Sequence, residues 1–252
     1  MQTSLSSRPP YAPLLAAMAL AAGFTAPAGA AGDATIAPFS SAAPGEPPAG
    51  WKFATLPNKV PTKYSIVDLA GAKVLKVEAD ESYGNLVHGV HVQPTDKAAL
   101  AWRWRVDKLI EGADLKVRSG EDSAAKLCVF FAFDSAKLSF SERTKLSLAR
   151  TTTGENVPTQ TLCYVWDNKL PVDTVLPSPF TQRLRFLVLQ SGSAKLGEWV
   201  TQRRDLVADY QRLFGDESEG KTPEVTGVAV QADSDNTHGH GLAYFGDITL
   251  TP

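Results

Sequence analysis

The sequence predicts an all-β protein, an antiparallel β-sandwich of jelly-roll type with one or two short helices. Three observations point to it. Short runs rich in β-branched and aromatic residues recur from Trp51 onward, with turn residues between them. No alternation of strand and helix patterns suggests βαβ units. In "LAWRWRV", Leu100 to Val106, apolar and basic residues alternate strictly, the period of a strand with one face buried.

The elements follow in chain order. Residues 1–30 have the layout of a secretory signal peptide. Arg8 precedes the apolar run "LLAAMALAAGF", and Ala28 and Ala30 form an A-x-A pattern that predicts cleavage after Ala30. The apolar run is about eleven residues, short of the roughly 20 that a membrane span needs. No cysteine follows the cleavage point to carry a lipid. The expected product is an exported protein, periplasmic or secreted, with no membrane span once the leader is gone. Residues 31–50, with "AAPGEPPAG", read as an irregular lead-in. The remainder, 51–252, is long enough for one large all-β domain.

Ten strands are expected: "TKYSIVDL", "AKVLKVEA", "NLVHGVHVQ", "ALAWRWRV", "AKLCVFFAF", "TLCYVWD", "QRLRFLVLQ", "EWVTQRRD", "EVTGVAVQAD" and "GLAYFGDITL". Two segments read as helices. "SERTKLSLAR" has a capping Ser141. "DLVADYQRLFG" places Leu206, Val207, Tyr210, Leu213 and Phe214 on one helical face and ends at Gly215, a C-cap residue.

Alternation assigns faces. Leu100, Trp102, Trp104 and Val106 should meet in the inter-sheet core, because burying two indoles is worth several kcal/mol. Ala101, Arg103 and Arg105 should then face outward. In "QRLRFLVLQ" the same reading puts Leu184, Phe186 and Val188 inward, with Arg183 and Arg185 outward. Lys126 lies on the face opposite Leu127, Val129 and Phe131. If these strands are neighbours, one sheet displays a basic outer surface. Such a surface could hold the carboxylates or sulfates of an acidic glycan through bidentate bonds. Cross-strand ion pairing with Glu121, Asp122, Asp205 or Asp209 is the plainer alternative.

The whole chain carries 25 basic and 27 acidic side chains, and removal of the leader takes away only Arg8. A net charge of −3 excludes the strongly basic balance of a nucleic-acid binder. Cys128 and Cys163 lie in separate apolar strands. Export would permit them to pair, and two reduced, buried thiols remain the alternative.

Polar constellations are few. Tyr164 and Trp166 share one strand face beside Asp167 and Asn168, a grouping that could stack on and bond a sugar. They alternate with Cys163 and Val165, so either face could be the buried one. In "QADSDNTHGHG", Asp233, Asp235 and Asn236 crowd oxygen donors together, and Asp247 follows in the last strand. A structural Ca2+ on Asp233, Asp235 and Asp247 is the cofactor these donors suit. The full EF-hand pattern is missing, and an Asx-turn-rich loop would look the same. His238 and His240 have no third clustered nitrogen or thiolate for zinc. Neither G-x-S-x-G nor H-E-x-x-H occurs. Glu121 and Asp122 are adjacent carboxylates, and Asp122 could serve glycoside cleavage only with a partner such as Asp233 from elsewhere.

Taken together, "LAWRWRV", "GEDSAAKLCVFFAF", "LCYVWDN", "RRDLVADYQRLFG" and "VTGVAVQADSDNTHGHGLAYFGDITL" resemble, in order, the bacterial secreted family called domain of unknown function 3047. The resemblance covers roughly residues 36–251. It implies an exported β-sandwich and brings no activity with it. It marks Asp122, Tyr164, Trp166, Asp209, Tyr210, Asp233, Asp235 and Asn236 as recurring polar and aromatic positions. Lys126 stands where that family usually has Arg, which weakens bidentate anion recognition there. "FGDITL" is also similar to the closing strand of galactose-binding-like and carbohydrate-binding jelly rolls, some of which hold a structural calcium; this is a fold-level analogy.

These readings favour a non-catalytic, exported module that binds a glycan or another polar ligand. Its site would comprise Arg103, Arg105, Asp122, Lys126, Tyr164, Trp166, Asp233, Asp235 and Asn236. One alternative is a hydrolase or lyase of envelope polysaccharide using Asp122 with a carboxylate of the 233–235 loop. The other is a structural or assembly protein of the envelope.

Overall fold

A computed structural model describes residues 34–132 and 160–252. The leader and the helix expected at "SERTKLSLAR" lie outside the described residues. Strands β1 (Trp51–Ala54), β2 (Val60–Pro61), β3 (Lys63–Leu69), β4 (Ala72–Asp80), β5 (Ser82–Val92) and β6 (Ala99–Lys108) come first. Then follow β7 (Ser123–Phe131), β8 (Gln160–Asp167), β9 (Val175–Pro177), β10 (Leu184–Ser191) and β11 (Val200–Asp205). Helix α1 (Leu206–Ser218), β12 (Val225–Asp233), β13 (His240–Phe245) and β14 (Thr249–Thr251) complete the chain. All ten expected strands form. The last one splits into β13 and β14, and β1, β2 and β9 are additional short edge pieces.

Two sheets face each other. One runs β1-β5-β12-β7-β8-β10-β9 with β2 added on β5; the other runs β11-β6-β13-β4-β3 with β14 added on β6. Pairing is antiparallel except for β8 with β10 and β2 with β5. The fold is therefore a β-sandwich of the expected kind. No helix among the described residues is long and apolar enough to cross a membrane.

Trp102 and Trp104 are sealed between the sheets, while Arg103 is exposed and Arg105 half-exposed. Trp102 packs 5.1 Å from the Tyr164 ring and Trp104 packs 6.0 Å from the Trp166 ring, joining β6 to β8 across the layers. The lead-in is irregular but not peripheral. Phe39 and Ile36 join the core, and the Trp51 indole donates to the Ala37 carbonyl at 2.9 Å.

Strand β10 is corrected. Leu187 and Leu189 point into the inter-sheet core. Phe186 and Val188 lie on the opposite face, in a second cluster with Cys128, Cys163, Val165, Leu115 and Leu170. Both faces of this sheet are apolar, so alternation cannot say which one meets the partner sheet. Arg183 and Arg185 are consequently not an outer basic surface. Both pair with Glu217 near the end of α1, and Arg185 also reaches Asp216 and lies 4.5 Å over the Phe214 ring. Strand β6 moreover belongs to one sheet while β7 and β10 belong to the other, so no common basic face arises.

Cys128 and Cys163 face each other across β7 and β8 and are joined. Helix α1 begins at Asp205, whose carboxylate accepts from the Ala208 amide at 2.9 Å. It buries Leu206, Tyr210, Leu213 and Phe214 as expected. It runs past Gly215 and stops only at Glu219, which adopts φ 52° and is followed by Gly220 at φ 76°.

Candidate functional site

Two polar regions emerge, one buried and one open. The buried one forms because β12 pairs antiparallel with β7, bringing Asp233 opposite Ser123. That register delivers Asp122, just before β7, to the turn that follows β12. The Asp122 carboxylate then collects four donors from this turn. Asn236 supplies its amide at 3.3 Å and its side-chain Nδ2 at 2.9 Å. Thr237 supplies its amide at 2.7 Å and its hydroxyl at 2.6 Å. A carboxylate has about four lone-pair positions, so this one is saturated.

Asp233 is equally enclosed. It accepts from the Ser123 amide at 3.1 Å and from Gln231 Nε2 at 3.2 Å, and it pairs with Lys126 Nζ at 2.8 Å. Burial pushes its carboxyl up to about 6, against the opposing pull of the Lys126 charge. Burial likewise raises Glu121 to about 7, again opposed by Lys126; among the described residues only the Ser178 hydroxyl, at 3.4 Å, is its side-chain donor. Desolvation works against the Lys126 ammonium, but Asp233 and Glu121 outweigh it and hold the group above the ordinary lysine range. The expectation that Lys126 is outward and available is corrected. It shares a face with Cys128, but that face is covered, and the side chain is 1% exposed over the Phe186 ring.

Asp122, Asp233 and Asp235 come together, each offering an oxygen within 4.8 Å of the others. Asp247 does not join them. It sits at the far end of β13, a strand six residues long at ~3.3 Å per residue, where its carboxylate accepts from the Ser40 amide and hydroxyl at 2.9 and 2.6 Å. The pairing of Asp233 and Asp235 with Asp247 is therefore replaced by their pairing with Asp122. Strand pairing across 110 residues made the difference, which spacing along the chain could not reveal. His238 turns toward Glu81, and His240 accepts from Lys108.

Tyr164 and Trp166 are fully buried and cannot stack on a ligand. Tyr164 donates to Asp209 at 2.9 Å, and Arg204 grips the same carboxylate with Nε at 2.8 Å and Nη2 at 2.6 Å. Burial, then the Asp209 charge, holds the Tyr164 phenol well above its ordinary pKa. This triad ties α1 to the sheet. Trp166 donates to the Gly192 carbonyl at 3.1 Å.

The open region is the outer face of the six-stranded sheet. Arg103 lies with its guanidinium 4.6 Å over the ring of Trp199, and no carboxylate pairs with it among the described residues. Gly246 makes room for it: a Cβ there would fall 2.7 Å from the Arg103 stem. An open groove of about 640 Å³ begins at this point, bordered by Asp68, Lys73, Arg103, Thr201, Asp247 and Thr249. On the same strand Arg105 lies 5.9 Å over Tyr244 and is held by both oxygens of Asp107 at 2.5 and 3.0 Å. Neither Trp199 nor Tyr244 was singled out from sequence. Trp199 precedes β11 in "EWVTQRRD", and only the pairing of β11 with β6 sets it beside Arg103.

Fold and site together define a β-sandwich with a sealed acidic centre at one end of its larger sheet and an arginine–aromatic surface on its smaller one. The model of the family described as "Protein of unknown function (DUF3047)" matches residues 49–249, and the chain belongs to that family. Comparison with the curated proteins gives no match. Among solved structures, the chain is similar to the xyloglucanase domain of NopAA, a type three effector from Sinorhizobium fredii. The identity is 9%, coverage is 82% of this chain and 95% of that one, and the TM-score is 0.44. It is also similar to a family 12 xyloglucanase from Bacillus licheniformis, at 10% identity, 81% and 100% coverage and TM-score 0.38. A third is the cellulose induced protein Cip1, at 14% identity, 80% and 90% coverage and TM-score 0.31.

Proposed function

We propose that this protein is an exported, non-catalytic binding module for a glycan carrying carboxylate or sulfate groups, and that the outer face around Arg103 is its binding surface. The observation that carries the reading is Arg103 itself, an exposed guanidinium beside an indole at the head of an open groove. The half-buried Trp199 ring supplies an apolar platform for the C–H face of a sugar, and a guanidinium supplies a fork for an anionic substituent. Arg105, already held by Asp107, would flank the ligand rather than anchor it.

Against a hydrolase that uses Asp122 with Asp233 stand the burial of both, 1% and 3% exposed, and the donors already engaged by each. An acid–base pair must reach the scissile bond. The test is calorimetric titration of the protein with acidic and neutral oligosaccharides, repeated on Arg103→Ala and Trp199→Ala. Binding of an acidic member, weakened at least about tenfold in each variant, is the expected result; one lost charge-assisted hydrogen bond is worth about 1.5–3 kcal/mol. Silence across the panel, or variants that bind like the parent, would overturn the proposal.

A further inference from the structure

We propose that the centre formed by Asp122, Asp233 and Asp235 is a divalent-cation site, with calcium as the ion its donors suit, pinning the turn between β12 and β13 against the start of β7. The triad provides six carboxylate oxygens. Both oxygens of Asp122 and both of Asp233 accept hydrogen bonds or ion pairs, and one oxygen of Asp235 pairs with Lys59. The sixth, Asp235 Oδ1, is sealed from solvent and has no donor among the described residues, and the side chain as a whole is only 8% exposed. A buried anionic oxygen without a partner is costly, and native proteins rarely leave one so.

Charge points the same way. Glu121, Asp122, Asp233 and Asp235 face two ammonium groups, Lys126 and Lys59. Negative charge is left in excess there, which a bound cation would offset.

Donor type and spacing select the ion. Only oxygen ligands are present, so a soft thiolate- or imidazole-seeking metal has nothing to prefer. Oxygens at roughly 2.3–2.6 Å from calcium can stand as far apart as about 5 Å on opposite sides of it, which a cluster lying within 4.8 Å satisfies. The ion would take Asp235 Oδ1 first, and Asp122 and Asp233 would join it by exchanging one of their present donors for the ion. The sequence-based donor set survives in two of its three members, with Asp122 in the place given to Asp247.

The test uses the whole exported chain, freed of metal with a chelator and then titrated with calcium chloride by calorimetry and by thermal unfolding, with magnesium and sodium chloride at matched ionic strength as controls. Calcium should bind one ion per chain and raise the unfolding midpoint by on the order of 5 °C. Asp235→Asn should fold with the metal-free parent's midpoint yet lose at least about tenfold in calcium affinity, while Asp247→Asn should respond like the parent. No stoichiometric binding, or equal calcium responses in the parent and Asp235→Asn, would overturn the proposal. If Asp235→Asn fails to fold, Lys59→Met decides instead: removal of that competing ammonium should tighten calcium binding, and an unchanged or weaker affinity would count against the site.

Discussion

Replacing Lys126 with methionine tests the buried centre most directly. The change preserves most of the side-chain volume and removes one charge. Lys126 is 1% exposed and Asp233 5% by side chain, so water cannot replace the lost ammonium. Asp233 would keep only the Ser123 amide and Gln231 Nε2 as donors. Breaking a buried pair from one side costs about 3–5 kcal/mol, because the surviving charge stays desolvated. The cost must also depend on pH. Asp233 already titrates at about 6 with the ammonium beside it, and loss of that favourable charge moves it higher still. Its folded pKa then lies well above its unfolded one. The stability tied to the bound proton is fully present below the unfolded value and is lost as pH rises through the folded one. Lys126→Met should therefore be less destabilising at pH 5 than at pH 8, with a slope of up to about 1.4 kcal/mol per pH unit. Adding Asp233→Asn should recover more than half of the pH 8 loss. Urea unfolding in the presence of a chelator measures all three proteins. A cost below about 1 kcal/mol, or one equal at pH 5 and pH 8, would refute the assignment of a desolvated, charge-dependent pair.

Two further outcomes follow from the frame. Replacing both cysteines with alanine opens a loop of 35 residues and should lower stability by about 3–4 kcal/mol on the chain-entropy account, read as a shift of the urea midpoint; a loss under 1 kcal/mol would contradict it. Asp205→Ala should cost about 0.5–2 kcal/mol, since only this side chain satisfies the Ala208 amide at the start of α1, and an unchanged thermal midpoint would show that the cap is dispensable.

The Arg103 surface illustrates how far reading along one strand can go. Alternation in "LAWRWRV" was enough to place two indoles inside and two guanidiniums outside, because β6 has one apolar face and one polar face. The same reasoning misplaced Phe186 and Arg185, because β10 is covered on both sides, by the partner sheet and α1 on one and by Leu115 and Leu170 on the other. Tyr164 and Trp166 were ambiguous for the same reason. Their strand, β8, is buried on both faces along its whole length.

The amino-acid order alone determined the class of fold, the positions of ten strands and of α1, and the facing of β6, since each depends on periods of two or 3.6 residues that neighbours enforce locally. Tertiary structure alone decided which strands became neighbours. That choice joined Cys128 to Cys163, carried Trp199 to Arg103, and gathered Asp122 to Asp233 and Asp235 while sending Asp247 to Ser40. Partners separated by many residues are selected by the burial of whole sheet faces, a property no short stretch of chain contains.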